Sequence, residues 1–539
     1  MSKQIELLDC TLRDGAYITG SYFGVSAIKG IIKNMQNAGV EILECGWLKD
    51  APYKEGTSYY HVPDDIIPYM ADKKHDVTYV AMIDYNRYDT ENLPEYDGRS
   101  IDAIRVVFPH GHHEEGISIG RRIREKGYKV FFQAANTLAY SEEDLIALAK
   151  CMNEFKPVSV SIVDTFGAMF EDDLDRIVSI LDNRLDPEIK LGFHSHNNQQ
   201  LAFSLAMHFV EKVTRGNRGC IVDSTLCGMG RGAGNATTEL VASYLNRRQH
   251  GCYDMNVIMD AIDKYMQEFQ EKYTWGYSTA YFIAGMYQCH VNNIAYLQKS
   301  HRTNSRDMRN IIKSLTVEQR RQYDYDILEE KYMENQSRHV DDEAGVSFLK
   351  EDLSNRTVLL LCPGNSLNLE KTRIKGYIDE HSPVVVGVGA LLPYYSYDYV
   401  FFSNHARYEY AREVYADKAE SVKKILLSNI KTEAEENEII INFDSVVKRG
   451  WKYFDNPAIC CMRLMGWLGV KVLKIAGFDT FGPRYNESYA DASLPSVSTE
   501  DYAEINRELK LMYRDFNDTY GAKMNIEFLT DSEFADNCV

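Results

Sequence analysis

The sequence predicts an α/β protein: an N-terminal (β/α)8 barrel with a helical extension, followed by a second α/β domain. Three observations predict it. Short apolar runs alternate with longer amphipathic ones until eight strands have been laid down, a rhythm that fills roughly 250 residues in such barrels. Polar side chains recur at the end of each apolar run. A new series of alternating runs then opens at Thr357, beyond a charged stretch. At 539 residues the chain is too long for one ordinary core. The boundaries drawn are 1–253 for the barrel, 254–340 for the helical extension, 341–356 for a linker and 357–539 for the second domain.

The barrel strands are read at Ile5–Leu8, Glu41–Cys45, Val77–Ile83, Ala103–Phe108, Lys129–Gln133, Val158–Val163, Ile189–Phe193 and Cys220–Val222. Each is a short β-branched or aromatic run between turn residues. Helices with apolar residues at 3.6-residue spacing are read at Val25–Asn37, Ile117–Lys126, Glu142–Glu154, Asp172–Asp182, Gln199–Val213 and Ala236–Asn246. A doubly wound open sheet is the rival, but it calls for a glycine-rich turn after the first strand, and Gly15 alone does not supply one. Three helices follow, at Val257–Lys272, Tyr281–Lys299 and Arg306–Ser314. In the second domain, strands are read at Thr357–Leu361, Pro383–Gly387, Tyr399–Phe402, Lys424–Leu427, Glu438–Ile441, Lys471–Ile475 and Asn525–Leu529, with a helix at Ala458–Leu468.

A barrel gathers the ends of its strands at one mouth, where such proteins place their chemistry. Asp14 follows strand one, Glu44 ends strand two, Asp84 ends strand three and His110 follows strand four. Gln133 and Asn136 end strand five, Asp164 and Thr165 strand six, His194 and His196 strand seven, and Asp223, Ser224 and Thr225 strand eight. His194 and His196 are one residue apart at a strand end, so both point to the same side and offer adjacent positions on a divalent cation. With Asp14 they make a one-carboxylate, two-imidazole set that suits Mn2+ or Mg2+, and also Co2+, Fe2+ or Zn2+. A 2-keto acid fits the remaining positions through its carboxylate and keto oxygens. Arg13 stands ready to clamp that carboxylate, and Asn235, in a loop of glycines between residues 228 and 235, adds or orients a ligand.

Composition narrows the class. A net charge of −19 argues against binding to nucleic acid. No apolar run approaches the ~20 residues of a membrane span, and no signal-peptide pattern opens the chain. Eleven cysteines without metal spacing read as reduced thiols, so a cytoplasmic protein is expected.

Three stretches then meet a known pattern: Asp9-Cys10-Thr11-Leu12-Arg13-Asp14-Gly15, His194-Ser195-His196-Asn197-Asn198 and Gly228-Met229-Gly230-Arg231-Gly232-Ala233-Gly234-Asn235. Together they resemble the DRE-TIM metallolyases, the superfamily of 4-hydroxy-2-oxovalerate aldolase, HMG-CoA lyase, isopropylmalate synthase and homocitrate synthase. The resemblance covers about the first half of the chain. It implies metal ligation by Asp14, His194 and His196, a catalytic Arg13, and a substrate-carboxylate hydroxyl at Thr165. The sequence Gln199-Gln200-Leu201-Ala202 after the histidines is closer to the aldolase branch, as is Trp275-Gly276-Tyr277 in the tail. One departure stands out. The aldolases carry a histidine base three residues after the metal aspartate, and here that residue is Tyr17. His110, His112 and His113 are the other candidates for moving the proton. The activity implied is a metal-dependent carbon–carbon lyase acting through a 2-keto acid enolate and an aldehyde. A Claisen-type acyl-CoA condensing enzyme, and a nucleotide-binding or glycosyltransferase protein with a lapsed barrel, are the alternatives.

In the second domain, Leu360-Leu361-Cys362-Pro363-Gly364-Asn365-Ser366 reads as a strand entering a turn and a helix. Such a turn can present backbone N–H groups to a phosphate. The domain loosely resembles Rossmann-like sugar-nucleotide domains of the small bacterial sialyltransferase type, which implies nucleotide contacts at Gly364, Asn365 and Ser366 and makes His405 a site candidate. The expected partners are thus a 2-keto acid, an aldehyde, a nucleotide or nucleotide-sugar, and further copies of this chain in a homo-oligomer.

Overall fold

The computed structural model describes residues 4–70, 73–216, 218–301, 303–432, 436–495 and 502–535. The chain divides into two compact units, one made of residues 1–294 and 316–323, the other of 295–315 and 324–539.

The first unit is a closed parallel barrel of eight strands: β1 (Ile5–Asp9), β2 (Ile42–Leu48), β3 (Thr78–Asp84), β4 (Ala103–Phe108), β5 (Lys129–Ala134), β6 (Ser159–Asp164), β7 (Lys190–Ser195) and β8 (Cys220–Ser224). β1 closes the ring by pairing with β2 (Leu8 opposite Ile42) and with β8 (Ile5 opposite Cys220). The two-residue period of β1 divides its side chains. Leu8 joins Ile42, Val80, Ala103, Phe131 and Ile221 inside the ring, whereas Leu7 faces the layer of helices. Those helices are α1 (Val25–Asn37), α2 (His113–Glu125), α3 (Glu142–Phe155), α4 (Glu171–Arg184), α5 (Ala202–Arg215) and α6 (Thr238–Arg248). α3 starts where sequence chemistry dictates: Ser141 Oγ accepts from the Asp144 N–H at 3.1 Å, while the Ser141 N–H donates to the Asp144 carboxylate at 2.9 Å.

Several boundaries differ from the sequence reading. β2 runs on to Leu48, so Glu44 lies within the strand rather than at its end. The pairing of β2 with β3 is irregular between Glu44 and Trp47, where Gly46 takes a φ of +144° that a side chain would resist. The helix expected at Val257–Lys272 contains a wide π turn at Ile262–Met266, and Tyr281–Lys299 is two helices, Thr279–Met286 and Val291–Ser300. Residues Glu343–Leu353 of the charged stretch are helical, burying Leu349 and Leu353.

The second unit is built on a parallel sheet of seven strands: β9 (Thr357–Leu361), β10 (Val384–Val388), β11 (Tyr399–Phe402), β12 (Lys423–Leu427), β13 (Glu438–Ile441), β14 (Val472–Ala476) and β15 (Asn525–Phe528). Their spatial order is β13-β12-β11-β10-β9-β14-β15. The chain winds outward from β9 on one side and then crosses to β14 on the other, so a topological switch point falls between β9 and β14. The strands are nearly continuous apolar runs, as expected of a parallel sheet covered on both faces. No helix among the described residues is long and apolar enough to cross a membrane.

Candidate metal centre

At the C-terminal mouth of the barrel, Asp14, His194 and His196 come together, each buried, with one potential ligand atom apiece lying within 4.8 Å of the others. Asp14 closes the helical turn Thr11–Asp14 that follows β1, and its N–H donates to Cys10 O at 2.9 Å. His194 lies in β7 and His196 just past its end, their ring centroids 5.1 Å apart. Asn235 joins them by a backbone bridge to His196, and its side-chain amide donates to Asp14 Oδ2.

Charge settles which atoms are available. His194 Nδ1 lies 3.1 Å from Asp223 Oδ2, so Asp223 holds the proton on Nδ1 and leaves Nε2 facing Asp14 Oδ2 at 4.0 Å. Burial pushes the His196 imidazole down to about 4, so it is neutral at ordinary pH, and its Nδ1 has no hydrogen-bond partner. Burial alone would raise the Asp14 carboxyl; the Arg13 guanidinium, helped by the hydrogen bond from Asn235, outweighs it and holds it well below the usual carboxylate range. Asn235 Oδ1 is likewise buried and without a partner. An ionised carboxylate, two imidazoles and an orphaned amide oxygen fit one divalent cation. A second trio, Cys10, His194 and Asp223, also lies close, but burial lifts the Cys10 thiol well above its usual range and the Asp223 carboxylate already serves His194 and Arg105.

Behind the trio runs a buried chain of alternating charges. Arg13 donates to Asp14 Oδ1 and to Glu44 Oε2, both at 2.7 Å. Arg105 pairs with Glu44 at 2.9 Å and with Asp223. Asp223 is held below its usual value by Arg105 and His194, although burial works the other way. Arg105, in the middle of β4, is missing from the sequence reading. Its only signal is a lone arginine inside the apolar run Ala103–Phe108.

The other predicted residues fall in different places. Tyr17 stands at the rim, 42% exposed, with its ring 6.2 Å from Trp47 and the Arg231 guanidinium 5.0 Å from its centre. Desolvation pushes its hydroxyl up to about 12, with Arg231 and Arg13 opposing, so it keeps its proton at neutral pH. Thr165 Oγ1 accepts from the Asn136 N–H at 2.6 Å. His110 is engaged by its neighbours. Its Nε2 lies 3.0 Å from the Asp144 carboxylate, which caps α3, and its ring packs on Tyr140 at 4.6 Å. His112 lies against Glu115 and Tyr85. Trp275 donates to Cys227 O at 3.0 Å, tying the tail to the glycine-rich loop.

In the second unit, the turn after β9 has its N–H groups committed within the chain. Gly364 donates to Cys362 O and Gly477 O at 2.9 Å, and Asn365 to Ser488 O at 3.0 Å. Ser366 donates from its N–H and its hydroxyl to the Asp479 carboxylate, both at 2.7 Å. Beside this turn is a cavity of about 240 Å³ at the C-terminal ends of the strands, lined by Gly364, Asn404, His405, Arg407, Asn429 and Asp479 among others.

A closed parallel barrel with an acid and paired imidazoles at its C-terminal mouth defines a class: a (β/α)8 protein whose reactive groups share one rim. The family follows from comparison. Residues 113–266 match the HMGL-like family, so the barrel carries an HMGL-like, or DRE-TIM, domain. The oxaloacetate decarboxylase of Mycobacterium tuberculosis is 27% identical over 261 residues, covering 47% of this chain and 74% of that protein. The 4-hydroxy-2-oxovalerate aldolase 2 of Salinispora arenicola is 28% identical over 258 residues, covering 46% of this chain and 70% of that one. Among solved structures, the N-terminal domain of a protein named as an aldolase from Bacteroides vulgatus covers 54% of this chain and 95% of its own, with 23% identity and a TM-score of 0.47.

Proposed function

We propose that the barrel is a divalent-metal-dependent carbon–carbon lyase that breaks or forms the bond beyond C3 of a 2-keto acid, with an aldehyde as the other partner. The observation that carries this reading is the convergence of Asp14, His194 and His196 with one lone pair apiece available at a single point. The names of the two relatives support it chemically. Oxaloacetate and 4-hydroxy-2-oxovalerate are both 2-keto acids, and decarboxylation of the one and aldol cleavage of the other each break a C3–C4 bond.

In this reading Asp14, His194 and His196 hold the cation and Asn235 Oδ1 completes the set. The bound ion supplies Lewis-acid polarisation of the keto group, which acidifies the hydrogens on C3. Asp223 keeps the Nδ1 proton on His194 and so keeps its Nε2 lone pair pointing inward. Arg13, fixed on two sides by Glu44 and Asp14, presents its remaining edge to a substrate carboxylate or oxyanion. The protonated Tyr17 hydroxyl is an acid rather than a base, suited to donating to an oxygen that gains charge as the bond breaks or forms. Thr165, whose hydroxyl accepts from the Asn136 N–H, keeps in this reading the carboxylate-binding role that the resemblance implies. His110, held by Asp144, takes no part.

Exchange of the pyruvate C3 protons in D2O, followed by NMR with Mn2+ or Mg2+ and then with Co2+ or Zn2+, tests the reading. Metal-dependent exchange supports it, and its absence with all four ions refutes it. Release of free thiol from acetyl-CoA in the presence of a 2-keto acid would instead favour the Claisen alternative.

For the second unit we propose a nucleotide or nucleotide-sugar ligand in the cavity beside the β9–β14 switch point, the crevice that open parallel sheets use for ligands. The ligand would meet side chains such as Asn404 and Arg407, since the turn's own N–H groups are occupied. Thermal shift with CMP, UMP and their sugar conjugates checks this; no shift with any of them argues against it.

A further inference from the structure

The barrel mouth contains one guanidinium that the buried charge chain does not use. Arg13 and Arg105 are each neutralised by two carboxylates. Arg231 has none within ion-pair distance among the described residues, in a chain whose 79 acidic residues outnumber its 60 basic ones. Its partners are neutral. Nη2 lies 2.8 Å from His290 Nε2 and 3.0 Å from Asn292 Oδ1. Burial, and then the charge of Arg231 itself, push the His290 imidazole down to about 3, so it meets the guanidinium as an uncharged ring.

The position of this arginine is set by the glycine-rich loop. A Cβ on the preceding residue, Gly230, would lie 2.7 Å from Asp14 Oδ2, so the loop backbone passes directly over the candidate metal centre. Arg231 is therefore one residue from that point, and its guanidinium lies 5.0 Å from the centre of the Tyr17 ring. Nη1 and Nε make no hydrogen bond within the described residues, and the side chain is half-buried. A guanidinium fixed at one nitrogen, with its other donors open and no counter-ion, matches the planar two-oxygen edge of a carboxylate or phosphoryl group.

We propose that Arg231 is the seat for an oxyanion group on the carbonyl compound that meets the 2-keto acid, so that the aldehyde used by this barrel is an acidic one. The proposal rests on the lyase reading above and adds the chemical class of the second substrate. Arg13 and the cation would hold the 2-keto acid; Arg231, across Tyr17, would hold the charged end of its partner. The aldehyde carbon would then lie near the Tyr17 hydroxyl, the proton donor assigned above.

Two measurements test it. In the first, kcat/KM for condensation with pyruvate is compared for propanal, succinic semialdehyde and glycolaldehyde phosphate. The wild type is expected to favour one or both charged aldehydes over propanal by about 10–100-fold, the scale of one charge-assisted hydrogen-bonded pair, and their relative rates tell carboxylate from phosphoryl recognition. Arg231→Gln is expected to bring the ratio close to one, and Arg231→Lys to keep part of it. Equal use of propanal by the wild type, or a ratio unchanged in Arg231→Gln, overturns the proposal. In the second, inorganic phosphate and succinate are titrated calorimetrically into the metal-free protein. Binding that weakens about 10-fold in Arg231→Gln, with Arg231→Lys intermediate, supports the seat; equal binding in all three proteins contradicts it. The titration needs no turnover, so a failed lyase reading, seen as absent pyruvate exchange in the wild type, is told apart from a failed anion seat.

Discussion

Both units place candidate site residues at the C-terminal ends of parallel strands, yet they treat polar groups in opposite ways. At the barrel mouth, carboxylates and guanidinium groups are buried in alternation, and a few lone pairs, on His196 and Asn235, are left without partners. In the turn after β9, every N–H that looks available in sequence is satisfied by the chain itself, with Asp479 in the place an anionic ligand would take. Burying an unsatisfied polar atom costs about 1–3 kcal/mol, so the two on His196 and Asn235, beside the Asp14 carboxylate, mark a point that the barrel holds ready for a ligand. Internal satisfaction marks a structural turn beside a cleft.

That contrast can be broken at several points. The largest effect is expected from Arg105→Met, which leaves Glu44 and Asp223 buried without their shared cation; urea unfolding should register a loss of about 3–5 kcal/mol. Asp223→Asn releases the tautomer of His194, and Mn2+ affinity, read by electron paramagnetic resonance, should fall about 10–100-fold with little change in fold. Ser366→Ala removes one of the two donors to the half-buried Asp479 and should cost about 1–3 kcal/mol in stability while leaving Mn2+ affinity unchanged. A shift in Mn2+ affinity there would erase the distinction between the two regions.

A pH experiment sharpens it further. Burial raises the Asp164 carboxyl to about 7, and the N–H groups of Ala168 and Met169 offset this only in part. Its folded pKa lies above its unfolded one, so its contribution to stability is full below about pH 4 and is lost as pH rises towards 7. The difference in unfolding free energy between wild type and Asp164→Asn should therefore fall across that window, by at most ~1.4 kcal/mol per pH unit, and level off above it.

Much of the barrel was legible because two periodicities coincide: the alternation of strand and helix gives the ring, and the two-residue period of a strand puts His194 and His196 on one side. Asp14 could be grouped with them because strands one and seven end at the same mouth. Arg105 was not legible, since a lone arginine in an apolar strand has no local pattern, and its partners Glu44 and Asp223 lie on other strands. His110 shows what a loop histidine hides in sequence: its partner Asp144, the carboxylate that caps α3 with Ser141, lies 34 residues further on. The turn at Gly364–Ser366 has the residues of a phosphate cradle, but the carboxylate that occupies it, Asp479, lies 113 residues away from Ser366 in sequence.

The central claim is that one cation is held by Asp14, His194 and His196. Titration of Mn2+ into the purified protein, with the free ion read by electron paramagnetic resonance, should give one tight site per chain that disappears in both Asp14→Asn and His196→Ala while the circular dichroism of each variant stays native. A wild-type protein that takes up no Mn2+, or a site equally tight in both variants, would contradict it.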